Sequence, residues 1–159
     1  MTVKNNESAD FENDLIVVWD NKLATGIELI DNQHKELFDL TNKLYQACLS
    51  GNDDAVFKEA MSKMVNYVHF HFSAEQVLLE RIHYPGYAEH KKQHDTLVKD
   101  ILISVKDYNE GKNFVANHFV RTLKDWILSH IAITDKMYAN YVAEQKKKGL
   151  LTDLQIHGS

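Results

Sequence analysis

The residues best suited to chemistry lie on either side of a turn at Tyr84-Pro85-Gly86. His71 and Glu75 are four residues apart before this turn, and His90 and His94 are four residues apart after it. On an α-helix, four residues advance about 6 Å and end about 40° beyond a full turn, so both members of a pair project from one face. Two such pairs on the arms of a helical hairpin would direct four metal ligands into one shared space, as in helix-bundle metal sites.

The helices that must position these pairs are indicated by apolar stripes at helical spacing. Four helices are predicted, the second from about Asp54 to Ile82 and the third from about Tyr87 to Tyr108. The first begins either at Asp31, a favoured N-cap residue, or earlier, because Thr25 to Glu28 matches a capping box. The fourth starts near Asn113. Short loops between helices of this length favour an antiparallel up-down-up-down four-helix bundle, an all-α fold.

Further ionisable side chains fall on the apolar stripes of the outer helices. His34 lies in the stripe of the first helix and His130 in that of the fourth. Asp135 follows His130 by five residues, which is about 140° of rotation and not a same-face spacing. If both side chains reach one metal site, the helix must bulge between them.

The remaining segments define the expected organisation of the chain. Residues 1–14 are predicted to be a flexible leader, residues 15–145 the bundle and residues 146–159 a C-terminal tail. An apolar run from Leu15 to Trp19 is expected to pack as an arm on the outside of the bundle. Residues 136–148 could continue the fourth helix as a short exposed helix, and the last ten residues are expected to be frayed.

Composition excludes several classes of protein. The 159 residues suit one domain, and a net charge of -5 argues against a nucleic-acid partner. No run approaches the roughly 20 apolar residues that span a bilayer, and no signal-peptide pattern opens the chain. The single cysteine, Cys48, excludes internal disulfides and fits a reducing cytosol, so a cytoplasmic location is expected.

The chain contains nine histidines, which is an unusually high number for its length. Burying ionisable groups is costly unless they are paired or bind metal, and imidazole with carboxylate suits iron, copper, nickel or zinc. The candidate set has five imidazoles and two carboxylates, which is too many for one tetrahedral zinc. Two ions sharing Glu75 and Asp135 as bridges would divide the imidazoles three and two. One ion would then keep an open position for a small molecule.

Four motifs together resemble those of the bacterial hemerythrins. They occur in that family's order and cover about residues 15 to 140; they are Ile30-Asp-Asn-Gln-His34-Lys, His71-Phe-Ser-Ala-Glu75, His90-Lys-Lys-Gln-His94 and His130-Ile-Ala-Ile-Thr-Asp135. The resemblance implies a non-haem di-iron centre that binds dioxygen reversibly for carriage, storage or delivery, without enzymatic turnover.

The resemblance also implies a role for each ligand. His90, His94 and His130 would hold the saturated iron, and His34 and His71 the iron with the open position. Glu75 and Asp135 would bridge the two ions together with an oxo or hydroxo group.

An apolar pocket is expected around the open position. Its candidate residues are Leu37, Phe72, Leu79, Trp126 and Ile127. Trp126 and Ile127 lie one turn before His130, where the family has the lid of its oxygen pocket, although ordinary core packing accounts for each residue singly. Four histidines fall off the ligand stripes and are expected at the surface: His69, His83, His118 and His157.

Three other functions could be based on the same metal centre. The protein could sense oxygen or redox state through a separate protein partner, or it could carry out peroxide or nitric oxide chemistry. Iron storage is disfavoured, because the sequence indicates a closed site and no mineral cavity. The sequence alone does not separate a carrier from a sensor.

Overall fold

The computed structural model describes residues 14–51, 54–112 and 114–158, and these residues form helices without any strand. Apart from Asp14, the predicted leader lies outside the described residues, and the division into leader, bundle and tail stays a prediction. The helices are α1 (Glu28–Leu49), α2 (Asp54–Arg81), α3 (Tyr87–Asn109), α4 (Ala116–Ser129), a π-helical segment (His130–Asp135), α5 (Lys136–Lys147) and α6 (Asp153–His157), preceded by a 3-10 turn (Asn21–Leu23).

The long helices form the predicted antiparallel bundle. At one end, Phe57 from the start of α2 meets Tyr108 from the end of α3, with ring centroids 5.4 Å apart. Phe114, just before α4, packs on the same tyrosine at 5.1 Å. The starts of α2 and α4 thus lie beside the end of α3, so α3 runs antiparallel to both neighbouring helices. α1 packs along both α2 and α4, which closes the bundle.

Two apolar clusters fill the bundle, and a layer of buried ionisable residues separates them. The larger cluster includes Leu44, Met64 and Val120, and the smaller includes Ile30 and Leu79. On α1 and α3 the buried histidines lie between the segments that supply these two clusters, as do Glu75 on α2 and Asp135 at the end of the π-helical segment. His71 and His130 directly precede Phe72 and Ile131, the last residues that their helices contribute to the larger cluster. The polar layer is therefore closed above and below by apolar side chains.

The first helix begins earlier than Asp31, so the prediction of Asp31 as N-cap is wrong. α1 starts at Glu28, and no side chain caps it. The Asp31 carboxylate instead accepts hydrogen bonds from the backbone N–H groups of Thr25 at 2.7 Å and Gly26 at 3.2 Å. The acid braces the loop that leads into the helix, which is a local contact that the cap pattern does not reveal.

The predicted bulge between His130 and Asp135 is confirmed. Residues His130–Asp135 form a π-helical segment between α4 and α5. A π-helical turn is wider than an α-helical turn, since its hydrogen bonds run from i to i+5. Residues five apart therefore come close to one face, and both side chains are buried in the same layer.

The C-terminal part of the chain is more buried than expected. In α5, Tyr138, Ala139 and Val142 are buried, so the expectation of an exposed helix is wrong. Leu151 and Ile156 join the smaller apolar cluster, and Thr152 and Gln155 form a capping box at the start of α6. The last ten residues are thus packed and capped through His157, contrary to the expectation of fraying.

The apolar arm packs outside the bundle as predicted, and the buried side chain of Asn42 holds it. The Asn42 amide oxygen accepts hydrogen bonds from the backbone N–H groups of Ile16 at 2.9 Å and Val17 at 3.1 Å, and its nitrogen donates to the Val17 carbonyl at 2.9 Å.

None of the helices in the described ranges is both long and apolar enough to span a membrane.

Removal of the Asn42 amide is expected to detach the arm. We expect Asn42→Ala to lower the free energy of unfolding by about 2–3 kcal/mol, because three hydrogen bonds worth about 1 kcal/mol each are lost and two backbone donors are left unpaired. Urea denaturation of the metal-free protein measures the loss. Asn32→Ala, at an exposed position of the same helix, should change it by less than about 0.5 kcal/mol. Equal effects of the two substitutions would contradict this role.

Candidate metal centre

All seven predicted ligands converge in the polar layer, and each is at least nine-tenths buried. They form two groups whose potential ligand atoms lie within 4.8 Å of one another. One group contains three imidazoles, the other contains two, and both carboxylates belong to both groups. The first consists of His90, His94, His130, Glu75 and Asp135; the second consists of His34, His71, Glu75 and Asp135.

Each carboxylate points its two oxygens at different groups. Glu75 Oε1 lies 2.5 Å from His90 Nε2 and 3.2 Å from His94 Nε2. The other oxygen, Oε2, lies 3.3 Å from His71 Nε2 and 3.7 Å from His34 Nε2.

Asp135 repeats this division. Its Oδ1 atom lies 3.2 Å from the Nε2 atoms of both His90 and His130, and its Oδ2 lies 3.1 Å from His34 Nε2. The two acids therefore stand between the groups, with one oxygen on each side.

Several buried nitrogen and oxygen atoms in this layer have no hydrogen-bond partner among the described residues. They include both oxygens of Asp135 and both ring nitrogens of His34. His94 Nε2 and His130 Nε2 approach each other to 3.0 Å. Buried polar groups without partners are costly, and lone pairs that converge on one point suit a cation. The residues present thus fit a metal site of imidazole and carboxylate ligands.

The close packing of acids and imidazoles shifts their ionisation. Burial by itself would lower the pKa of His34, but the nearby carboxylates of Asp135 and Glu75, at 3.1 and 3.7 Å, outweigh it and raise the pKa to about 9. The same balance raises the pKa of His90 to about 9. Burial would raise the pKa of both acids, but the surrounding imidazoles hold it below the ordinary value. At neutral pH the metal-free layer therefore pairs two carboxylates with two imidazolium ions.

This pairing predicts how the metal-free protein responds to pH. Stability from His34 and His90 is fully present below pH 6.5 and is lost as pH rises toward about 9, since their pKa is raised on folding. We expect the free energy of unfolding to fall by a few kcal/mol over this range, as measured by urea denaturation. Metal binding replaces these protons, so metal-loaded protein should lose less stability. A metal-free protein that gains stability between pH 6.5 and 9 would contradict the ionisation described.

Side chains that are not ligands themselves, and that the sequence reasoning missed, contact the candidate ligands. Tyr138 is fully buried and donates its hydroxyl to Glu75 Oε2 at 3.0 Å. Gln33 and Gln93 contact the outer ring nitrogens of two histidines. Each glutamine immediately precedes a candidate ligand histidine and Tyr138 follows Asp135 by three residues, but neither spacing shows which ligand the side chain contacts.

The predicted pocket residues lie on both sides of the polar layer. Leu37, Phe72 and Ile127 are buried in the larger apolar cluster, with the half-buried Trp126 packed against it, whereas Leu79 belongs to the smaller cluster. Phe72 stacks on His94 with centroids 3.6 Å apart, and Trp126 stacks on His130 at 4.4 Å. Four of the five candidates therefore form one apolar wall, and Leu79 faces the layer from the other side.

The exposure of the side chains tests the prediction for the four histidines outside the ligand set. The four histidines predicted at the surface are all exposed: His69, His83, His118 and His157. Cys48 is half-buried at the edge of the larger cluster and is a free thiol.

Several known proteins resemble this chain in sequence and in structure. The family model described as "Hemerythrin HHE cation binding domain" matches residues 25–142. The chain is 32% identical to a bacteriohemerythrin of Methylococcus capsulatus, over 74% of this chain and 88% of the relative. It is 31% identical to one of Pseudomonas aeruginosa, over 79% of this chain and 81% of the relative. A solved structure of wild-type hemerythrin superposes with a TM-score of 0.75 at 29% identity, covering 79% of this chain and 96% of that one.

The matched region contains α1, α2, α3, α4, the π-helical segment and most of α5, and so includes every side chain of the polar layer. The buried groups of histidines and acids in this region are the kind of residues that a cation-binding domain requires. The chain therefore belongs to the hemerythrin family.

Proposed function

We propose that the protein binds dioxygen reversibly at a non-haem di-iron centre, for carriage, storage or delivery. In this proposal His90, His94 and His130 hold one iron and His34 and His71 the other. Glu75 and Asp135 bridge the two ions, together with an oxo or hydroxo group. The relatives are named for this family, and membership of the family supports the assignment.

The division of the carboxylate oxygens carries the proposal. Glu75 and Asp135 each have one oxygen beside the three-histidine group and one beside the two-histidine group. A single ion would need only one of these two sets of atoms. Two ions that share both acids account for all seven buried side chains.

The unequal number of imidazoles favours binding of a small molecule. With both carboxylates counted, one position has five protein ligands and the other has four. An iron with fewer protein ligands keeps a position open for an exogenous ligand. A pair of ferrous ions, when bound, would supply two electrons for the reversible reduction of dioxygen at that position.

The protein's own residues would keep this chemistry reversible. The two acids are fully buried, and apolar clusters cover the layer on both sides. Phe72 and Trp126 cover ligand rings directly, which excludes solvent from the imidazoles. In this proposal the protein is a binder of oxygen and not an enzyme, and its location in the cytoplasm stays a prediction, as does any protein partner.

Anaerobic loading with ferrous iron tests the proposed function. We expect two irons per chain, a visible absorption band on addition of oxygen, and loss of that band when oxygen is removed. Irreversible oxidation with turnover of added peroxide or nitric oxide would instead support an enzyme. One iron per chain would exclude the shared-carboxylate centre.

A further inference from the structure

The dipeptide Gln-His occurs twice among the ligand-bearing helices, and both glutamines make the same kind of contact. Gln33 precedes His34 on α1, and Gln93 precedes His94 on α3. The side-chain oxygen of each glutamine is directed to a histidine other than the one beside it in sequence. Each reaches across to the outer nitrogen, Nδ1, of a predicted ligand on a neighbouring rod.

The Gln33 contact joins α1 to α2. His71 Nδ1 lies 2.7 Å from Gln33 Oε1, and the glutamine is 5% exposed. A carbonyl oxygen can only accept, so in this amide orientation the hydrogen bond is made by the tautomer that carries its proton on Nδ1. The other ring nitrogen, Nε2, is the one that faces the Glu75 carboxylate at 3.3 Å.

The Gln93 contact joins α3 to the π-helical segment. His130 Nδ1 lies 3.1 Å from Gln93 Oε1, and the same oxygen accepts the Thr134 hydroxyl at 3.0 Å. Two donors that meet at one atom fix the direction of the amide. His130 Nε2 then faces Asp135 Oδ1 at 3.2 Å.

These contacts distinguish two imidazoles from the other three. The Nδ1 atoms of His34 and His90 have no hydrogen-bond partner in the described part of the chain, and His94 Nδ1 is 3.4 Å from the Gln76 amide nitrogen. His71 belongs to the two-histidine group and His130 to the three-histidine group. Each proposed metal position therefore has one imidazole whose outer nitrogen faces a glutamine carbonyl oxygen, while the longer contact of His94 is to an amide nitrogen.

We propose that Gln33 and Gln93 are positioning residues, one for each metal position of the proposed di-iron centre. By accepting the Nδ1–H of His71 or His130, each glutamine keeps the ring oriented and leaves only Nε2 available to the metal. This inference rests on the proposed function, because it concerns the same ligands. Partners of this kind beyond the ligands change metal affinity by about 10–100-fold when they are removed.

The first test replaces Gln33 with methionine, which has a similar volume and no acceptor oxygen for the ring N–H. Anaerobic titration with ferrous iron against a competing chelator should show affinity reduced about 10–100-fold at one of the two positions, with the other nearly unchanged. Gln33→Glu keeps an acceptor oxygen and should restore most of the affinity. Gln93→Met should give the reciprocal loss, at the position with three histidines. Gln145→Met, on α5 outside both ligand groups, is the matched control and should bind iron as the wild type does.

A second measurement separates positioning from a general effect on folding. In zinc-loaded protein, the Nδ1–H protons of His71 and His130 should give downfield NMR signals that exchange slowly with water. Gln33→Met should shift only the His71 signal and speed its exchange, and Gln93→Met should do so only for His130. Unchanged signals and affinities in both methionine variants would overturn the inference while two irons still bind the wild type. Failure of the wild type to bind two irons would instead overturn the proposed function.

Discussion

Glu75→Gln is expected to reduce the iron content from two ions per chain to one or none and to abolish the reversible response to oxygen. The amide keeps the size of the side chain but provides one neutral oxygen where the acid provides two charged ones. Glu75 Oε1 and Oε2 each face imidazoles of a different group, so the substitution affects both proposed metal positions. Iron content after anaerobic loading, and absorption spectra with and without oxygen, measure the result.

Glu59→Gln provides the matched control for this experiment. Glu59 is on the same helix but is largely exposed, where it forms an i,i+4 ion pair with Lys63. An exposed pair of this kind contributes little to stability, so this variant should load iron and respond to oxygen as the wild type does. A Glu75→Gln protein that still holds two irons and binds oxygen reversibly would remove the bridging role from the proposal.

Phe72→Ala is expected to have the largest effect on stability. Its ring is 5% exposed, stacks on His94 and packs at 5.9 Å from both His71 and Trp126. Truncation of a buried phenylalanine to alanine costs about 3–5 kcal/mol, because apolar contacts are lost and a cavity remains. The cavity would also admit water beside the ligands, so the iron-loaded variant should lose its reversible response after fewer cycles of oxygenation.

The same helix offers a matched comparison for Phe72. Phe70 is 57% exposed, and its ring centroid lies 5.5 Å from that of Tyr67. Phe70→Ala should therefore change the free energy of unfolding by less than about 1 kcal/mol and leave oxygen cycling unchanged. Urea denaturation and repeated oxygenation of both variants provide the measurements. Similar losses in the two proteins would mean that Phe72 does not protect the centre.

Sequence reasoning placed the candidate ligands on the inner faces of the helices, because helical periodicity is a local property of the chain. The spacing of His71 and Glu75 places both on one helical face, and the structure buries both side chains in the polar layer. The five-residue spacing of His130 and Asp135 likewise required a bulge, which the π-helical segment provides.

Contacts between helices were much less accessible from the sequence. Gln33 and Tyr138 appear as ordinary residues of their helices, and only the packing of neighbouring rods brings them to His71 and Glu75. The burial of Leu151 and Ile156 was missed for the same reason, since short apolar segments near a chain end carry little periodic signal. Asp31 was misassigned because its carboxylate satisfies the preceding loop instead of capping the helix.

The sequence by itself determined the helices, the seven ionisable residues on their inner faces and the family to which they point. Only the tertiary structure decided which oxygen of Glu75 and of Asp135 faces which group, and which glutamine holds which imidazole. Side-chain spacing along a helix follows from fixed backbone geometry, whereas contacts between helices depend on how each rod is rotated and placed against its neighbours.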